Sequence, residues 1–560
     1  MVNMYNVFII SVQFLITFLI GRSFYYLLNK FILKNSKKNI FKIAPYNYYL
    51  LFGLFFIGNL SVVFNFIDGT GSVYFKLILT FFVIINFFNI SKKPVNLKII
   101  SLYAPIYFMI MVGTYNMGLS KDSDSYHLNH QLLIRDERII FGLSNLHHRY
   151  GFSSIWEYIL SNYWFGENFI FLSTPSLILI FNFYMILISF LFSKEIFYKK
   201  IFFIFIIYGI LDNVGFGGGR NGFIAFSEIG DLDNSFAILF IISSIFITYT
   251  YLQKNLTIFD FFSLGILILL TGQIRYFGFI LFIPFTMRFI KDISKPFQIK
   301  LPIVFGATIS LIWLLKNVIV SGCFFYPVYQ TCIPSLSWYQ SYQAKVVSLS
   351  VTGHPKRPND IFVPIDDLTW IQDWLPNNSS YIINFIICTL LIKFLLYKKV
   401  SKVSLISFII SILLLTIWFF LIPAYRFALP IFMTVLLLSN FDYLLDNNTF
   451  KLRKLSNGTI SIVLVLICSF LTVRADSYKA FFSNPIESHI VEVGSVEYLE
   501  RDNFFGYKPV EGKTCYLNKE CFPDEYEVEV RRLGYFKFIQ SIDMDYWKQF
   551  YYDLEHKKSI

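Results

Sequence analysis

Apolar residues dominate this chain and recur in long runs that short polar segments separate. Many of these runs are about 17–25 residues long, enough for an α-helix to cross a hydrocarbon core about 30 Å thick. The pattern predicts about fourteen transmembrane helices, at residues 7–28, 46–66, 73–90, 99–117, 168–192, 201–214, 235–252, 257–271, 276–290, 302–320, 381–397, 403–422, 427–445 and 459–473.

Composition agrees with a membrane protein. Of the 560 residues, 56% are hydrophobic and only 15% are charged, a balance that would leave the surface of a soluble protein covered with apolar side chains. The sequence therefore predicts an all-α polytopic membrane protein. The net charge of +12 does not indicate a nucleic-acid partner, because the basic residues lie in short clusters between the apolar runs, as the positive-inside rule requires.

The lysine clusters predict the topology. If all of them face the cytoplasm, both termini and four polar segments lie outside, at residues 118–167, 215–234, 321–380 and 474–560. The polar chemistry thus collects on one side of the membrane, with a small extracytoplasmic tail at the C-terminus. The high content of Lys, Ile, Asn and Phe is typical of a bacterium with an AT-rich genome. For a bacterial polytopic helical protein, the expected location is the inner membrane.

The first outer segment opens with KDSDSYHLNH, residues 121–130, and contains four of the seven histidines of the chain. Asp122, Asp124 and His127 are the candidate catalytic residues, and Asp124 and His127 would share one face of a helix. A carboxylate pair beside imidazoles can accept a proton from a hydroxyl, or hold a divalent cation such as Mg²⁺ or Mn²⁺. The alternative is that Asp122 or Asp124 only caps a helix that starts near Tyr126.

The apolar positions of the same segment recur at helical spacing. They predict two amphipathic helices that lie on the membrane surface. These positions are Leu132, Leu133, Ile139 and Ile140 in the first helix, and Ile155, Trp156, Ile159 and Leu160 in the second.

Other charged residues are predicted on the same side. Arg275, Lys316 and Arg426 lie near the outer ends of predicted spans, where a cation can bind a phosphate or extend to the interface. The stretch GFGGGRNGFIAFSEIGDLDN, residues 215–234, adds Arg220, Glu228 and Asp231 as candidate binding residues. It lacks the GK[ST] ending of a nucleotide-binding loop, so a re-entrant turn or a flexible loop is the better interpretation.

Four of the six cysteines are predicted outside, in two close pairs. Cys323 and Cys332 share one loop, and Cys515 and Cys521 share the tail. Each pair could form a disulfide in an oxidising compartment.

The acidic motif on the first outer loop resembles that of the GT-C class of membrane glycosyltransferases. The stretch GLSNLHHRYGFSSIWEY is more similar to a family of uncharacterised bacterial multi-spanning proteins related to that class, as are WLLKNVIVSGCFFYPVY, WFFLIPAYRFALP and CYLNKECFPDEYEVEVRRLGYF. The resemblance implies a three-helix addition at residues 1–98, a GT-C-like core at 99–473 and the tail at 474–560. This chain departs from the class by reading Lys316-Asn317 where Arg-Asn is common.

The resemblance implies a glycosyltransferase. Such an enzyme moves a sugar from a polyprenyl-phosphate donor to an envelope glycan or lipid acceptor on the outer face of the inner membrane. An O-antigen or capsule polymerase is an alternative within the enzyme class. A flippase or transporter of lipid-linked sugars is an alternative from another class, although its charges would line a cavity among the helices rather than outer loops. The expected partners are the donor, the acceptor and membrane lipids.

Overall fold

The fold comes from a computed structural model. It describes residues 2–31, 47–88, 97–114, 117–120, 122–214, 229–230, 232–253, 256–290, 296–357, 368–395, 402–445, 491, 497–500, 507–510, 518, 521, 528–541 and 544–556.

The described chain is mostly helical. Its α-helices are α1 (Val2–Phe31), α2 (Asn47–Asn65), α3 (Val73–Phe88), α4 (Leu97–Gly113), α5 (Leu128–Asp136), α6 (Ile155–Leu160), α7 (Thr174–Leu191), α8 (Ile196–Val214), α9 (Asp233–Leu252), α10 (Ile258–Ile274), α11 (Phe282–Ile290), α12 (Pro296–Ser321), α13 (Ser341–Gly353), α14 (Trp370–Leu395), α15 (Lys402–Leu421), α16 (Tyr425–Ser439), α17 (Phe441–Leu445) and α18 (Met544–His556). A π-helical turn, Ser123–His127, precedes α5, and short 3-10 turns follow at Leu143–Asn145, His148–Phe152, Phe169–Ser173, Tyr276–Leu281 and Tyr329–Thr331.

Several helices can cross a membrane. In the described part of the chain, five are long and apolar enough, and a bent pair in α14 with a 55° angle would make a sixth. Six shorter apolar helices accompany them. Of the fourteen predicted runs, thirteen lie on helices of the structure, and the run at 459–473 lies outside the described residues. The chain is therefore a multi-pass membrane protein, while the number of crossings stays a prediction.

Helix α2 lies at the centre of the bundle, in contact with α1, α6, α7, α10 and α12. Helices α1 and α2 cross closely because glycine at the contact lets the two backbones approach each other. A Cβ on Gly21 would lie 1.7 Å from the Tyr49 carbonyl oxygen. The spans within α7 and α9 are each 89% buried, whereas the α12 span is 28% buried and turns most of its side chains outward. The N-terminal helices thus pack into the core, and a boundary at residue 98 stays a prediction.

Three basic side chains near predicted cytoplasmic loops bond to carbonyl oxygens of neighbouring described helices. Lys200 donates to the Tyr443 carbonyl oxygen at 2.6 Å, and Lys393 donates to that of Ser439 at 3.1 Å. Arg288 donates to the Thr250 carbonyl oxygen at 2.8 Å. Each contact satisfies a carbonyl near the C-terminus of a helix.

The segments predicted outside also contact one another. Leu119 pairs with Ile229 in an isolated parallel bridge, and Phe141 pairs with Phe538 in the tail. Asn145 donates to the Trp338 carbonyl oxygen at 2.9 Å. We call this assembly of the 117–167 segment, residues 322–357 and the tail the outer layer.

The outer layer corrects two expectations. The chain is not all-α, because the described tail contains two antiparallel hairpins: β1 (Tyr498–Glu500) with β2 (Tyr507–Pro509), and β3 (Val528–Leu533) with β4 (Phe536–Ser541). The predicted surface helices are also different: every residue of α6 is buried, since α6 packs against α2, α5 and α10. Periodicity marks an apolar face, and here protein rather than lipid covers it.

Candidate functional site

The turn that carries the predicted acidic motif is fixed to a distant segment. Ser120 N donates to the Ile229 carbonyl oxygen at 3.2 Å, and Ile229 N donates to that of Gly118 at 2.9 Å. Ser123 Oγ also donates to the Ile229 carbonyl oxygen. The residues on both sides of Asp122 are therefore held in place by the segment at Ile229.

Of the two aspartates of the motif, the structure describes the side chain of Asp122 but not that of Asp124. Asp122 is exposed and makes no side-chain capping bond to the turn. Burial and the negative charge of Asp122 raise the pKa of Tyr126, which lies beside that carboxylate. Asp124 lies in the turn, and its side chain is outside the described part of the structure.

His127 is buried and hydrogen-bonded to a carboxylate. Its Nδ1 contacts Oε1 of Glu157, which comes from α6 and is 3% exposed. Gln131 Nε2 donates to the other oxygen of Glu157 at 2.9 Å, and Trp164 Nε1 donates to Gln131 Oε1 at 3.1 Å. Burial raises the pKa of Glu157. His127 and Gln131 lower that pKa by more than burial raises it, so the pKa lies below its ordinary value.

Helix α6 positions Glu157 by its own start. Ser154 is the N-cap, and its hydroxyl oxygen accepts a hydrogen bond from Trp156 N at 3.2 Å. Glu157 follows in the first turn, where the helix dipole favours a negative charge. The rest of IWEYIL is apolar and buried, so this carboxylate is fixed by its polar partners alone.

A second pair of buried groups lies beside the first. Lys316 of α12 is 0% exposed, and its Nζ donates to the Ser153 carbonyl oxygen and faces the rings of Tyr158 and Trp313. Among the described residues no carboxylate pairs with it. His130 of α5 is close enough for the Lys316 charge to affect its pKa.

His130 is held neutral by its surroundings. Its ring is 2% exposed and lies 5.0 Å from the Tyr150 ring, and its Nε2 makes no hydrogen bond within the described chain. Burial, aided by the charge of Lys316, lowers the pKa of His130 to about 4, although Glu157 opposes the shift. The site thus combines four buried ionisable side chains: His127, His130, Glu157 and Lys316.

The remaining histidines of the segment form a stack with aromatic rings. His147 lies 5.7 Å from Tyr126 and 4.8 Å from His148, measured between ring centroids. His148 in turn contacts Trp547 of α18 at 6.1 Å. The tail therefore covers this side of the site.

The other predicted binding residues are not all brought together. Arg275 lies at the end of α10, where it donates to Asp233 and stacks on Phe427 at 4.5 Å, so its charge is already shared. The side chain of Arg426 is outside the described part. Arg220, Glu228 and Asp231 lie outside the described residues altogether.

The predicted cation site is described only in part. Within the described residues no group of three His, Cys, Asp or Glu side chains could hold a metal ion, and Asp122 is the one predicted oxygen ligand whose side chain is described.

Of the two predicted cysteine pairs, Cys323 and Cys332 form a disulfide. Cys521 is also disulfide-bonded, while Cys515 lies outside the described residues.

Sequence reasoning did not identify Glu157, Gln131 and His130 as site residues. Glu157 had a readable signal, because it is a lone acid within the apolar stretch IWEYIL. Such a carboxylate must be paired or neutral if it is buried. Gln131 and His130 carry no comparable signal, since either could have faced solvent.

A family model described as "Domain of unknown function (DUF8201)" matches residues 4–433. No curated protein matches the chain, and no solved structure matches it either. The match runs from α1 into α16 and includes His127, Glu157 and Lys316, but not the tail. Because the match covers most of the chain, the chain belongs to the DUF8201 family.

Proposed function

We infer that this protein is a membrane glycosyltransferase. It would move a sugar from a polyprenyl-phosphate-linked donor to a hydroxyl of an envelope glycan or lipid, on the outer face of a bacterial inner membrane. The observation that carries the proposal is Lys316, a fully buried lysine with no described carboxylate partner, next to three other buried ionisable side chains.

A buried lysine without a carboxylate partner is charged only at a cost of several kcal/mol, which a carbonyl and two ring faces offset only in part. An anionic ligand would complete the site. Trp313 Nε1 and Asn317 Oδ1, on the same helix, also make no hydrogen bond within the described chain and leave polar capacity for a ligand.

The chemistry of a polyprenyl-phosphate donor fits such a site. Its leaving group departs as a phosphate, which needs positive charge rather than a proton. Helix α12 turns an apolar face outward and carries Lys316 five residues before its end, so the lysine lies near the end of a helix that faces lipid, where a phosphate would replace the Ser153 carbonyl at Nζ. Asp124 and Asp122 remain the candidate carboxylates for the acceptor or a divalent cation, and Arg275 and Arg426 remain candidate phosphate contacts.

The test replaces Lys316 with an apolar side chain of similar length. Wild-type, Lys316→Met and Lys200→Met proteins in nanodiscs are titrated with undecaprenyl phosphate, and native mass spectrometry measures binding. Lys200 is the matched control, because it is also buried and bonded to a carbonyl oxygen, but at the opposite end of the bundle. Undecaprenol, which lacks the phosphate, and inorganic phosphate separate the contributions of the chain and the headgroup.

We expect Lys316→Met to weaken undecaprenyl phosphate binding about tenfold or more, the scale of one charge-assisted hydrogen bond. Its melting temperature should stay equal or rise, since replacing a buried charge with a packed apolar residue is often stabilising. Transfer from a panel of polyprenyl-phosphate sugars should fall in parallel. Equal binding by wild type and Lys316→Met would overturn the proposal.

A further inference from the structure

The contact between Glu157 and His127 joins two parts of the chain that are 30 residues apart. His127 is the last residue of the Ser123–His127 turn, and Glu157 lies in the first turn of α6. Both side chains are buried, so the contact is shielded from bulk solvent. The pair is therefore a built feature of the outer layer rather than a surface ion pair.

Both oxygens of the carboxylate are occupied, which fixes its orientation. Oε1 faces His127 Nδ1, and Oε2 accepts from Gln131, which Trp164 holds in turn. Because the ionised carboxylate can only accept, Nδ1 of the imidazole carries the proton of this bond. The second ring nitrogen, Nε2, is then the one that can exchange a proton with a substrate.

The surroundings of the pair bear on its titration. Among the side chains that the structure describes, the titratable and charged groups that interact with His127 or with its neighbours Tyr126 and His130 are Asp122, His147, Arg149, Glu157 and Lys316. The Tyr126 ring lies 4.2 Å from the His127 ring. His130 is neutral at physiological pH and adds no charge beside His127. Glu157 is the described carboxylate in contact with His127, and Lys316 is the lysine nearby.

We propose that His127 is the general base of the transfer reaction and that Glu157 is its positioning residue. This rests on the proposed function. The acceptor O–H gives its proton to Nε2 of His127, and the acceptor oxygen forms a bond to the anomeric carbon of the sugar. The bond between that carbon and the carrier phosphate oxygen breaks, and its electron pair stays on the phosphate, next to Lys316. The imidazolium later returns its proton to water.

The first experiment needs no substrate. Protein with ¹⁵N-labelled histidine is studied in nanodiscs by NMR as a function of pH, and His127→Gln identifies the His127 signals among the seven histidines. Wild-type His127 should be the tautomer with the proton on Nδ1. Glu157→Gln keeps an oxygen that can accept from Nδ1 but removes the charge, so the pKa of His127 should fall by about 1 unit or more.

The matched control is Glu137→Gln. Glu137 belongs to the same segment and pairs with Lys537 at 2.8 Å, at the edge of the tail. Its removal should leave the tautomer and the pKa of His127 unchanged. A His127 pKa that is the same in wild type and Glu157→Gln would overturn the positioning role.

The second experiment measures the rate of transfer against pH. His127→Gln should reduce the rate about a hundredfold or more. Glu157→Gln should reduce it less and move the acid limb to lower pH, because a base with a lower pKa stays unprotonated further into acid. Glu157→Asp, which restores the charge, should recover part of the rate.

The two proposals fail in different ways. If His127→Gln transfers sugar at the wild-type rate, the base is wrong although the enzyme class holds. If no polyprenyl-linked donor supports transfer by the wild type, the glycosyltransferase proposal fails, and with it the role of His127 as base. The NMR titration would then report the His127–Glu157 coupling alone.

Discussion

At the scale of single residues, the outer layer concentrates ionisable side chains that burial has removed from solvent. His130 shows the effect most clearly, because it is 2% exposed and its ring lies against Tyr150. Sequence could count the histidines of this segment, but it could not tell which would be buried. That depends on contacts with α12 and the tail, which lie more than 150 residues away along the chain.

His130 makes the stability of the protein depend on pH. In the unfolded chain a histidine takes up a proton near pH 6.5, whereas burial lowers the pKa of folded His130 to about 4. Between these values the unfolded state binds more protons, so the free energy of unfolding falls as the pH falls. The loss should approach roughly 3 kcal/mol at pH 4.

Thermal unfolding of detergent-solubilised protein from pH 7 to pH 4.5 measures this dependence. His130→Gln should flatten the decline by about one proton per molecule. His354→Gln, which replaces an exposed histidine, serves as the control and should keep the wild-type slope. A slope that is identical in wild type and His130→Gln would contradict the assignment.

At the scale of elements, periodicity predicted helices in the first outer segment but not what they pack against. The apolar positions of Ile155–Leu160 do form a helix, yet α2, α5 and α10 pack against it and every one of its residues is buried. The bridge between Leu119 and Ile229 and the pairing of Phe141 with the tail have no local sequence signal. Such pairings join segments more than 100 residues apart, and a local pattern does not specify them.

Gly230 lies in the second predicted outer segment, where that segment approaches the Ser123–His127 turn. Its φ is +89°, and a Cβ built on it would lie 1.8 Å from Ser123 Oγ. Gly230→Ala must therefore adopt a left-handed backbone and displace the start of the Ser123–His127 turn. The combined cost should be about 2–5 kcal/mol, from about 1–2 for the backbone and about 1–3 for the overpacking.

Gly166→Ala isolates the backbone contribution. Gly166 has a φ of +63°, but nothing lies within 4 Å of an added Cβ. We expect it to lower the melting temperature by less than Gly230→Ala and to leave undecaprenyl phosphate binding unchanged. Equal effects of the two substitutions would show that Gly230 does not press on Ser123.

At the scale of the whole molecule, the apolar helices could be predicted, whereas the site could be predicted only in part, because His127 and Lys316 were candidates and Glu157 and His130 were not. Apolar runs specify spanning helices because the bilayer acts on each segment separately. Among the described residues, Lys200 and Lys393 bond to the ends of neighbouring helices, and Leu119 and Phe141 pair with other segments that the charge pattern predicts outside. The buried cluster of His127, His130, Glu157 and Lys316 arises only when three separate segments fold together.

The orientation in the membrane is the prediction on which the polyprenyl-phosphate argument depends. Alkaline phosphatase is active only after export, so its fusion to truncated chains reports the side of each junction. Fusions after Asn116, Val320 and Val473 should be active, and fusions after Lys93 and Lys399 should be inactive, because lysine clusters stay in the cytoplasm. Immunoblots of each fusion control for expression.

Activity of the Lys93 fusion together with an inactive Asn116 fusion would show the opposite orientation in the membrane. The His127 and Lys316 cluster would then face the cytoplasm, where nucleotide sugars rather than polyprenyl-linked sugars are the available donors.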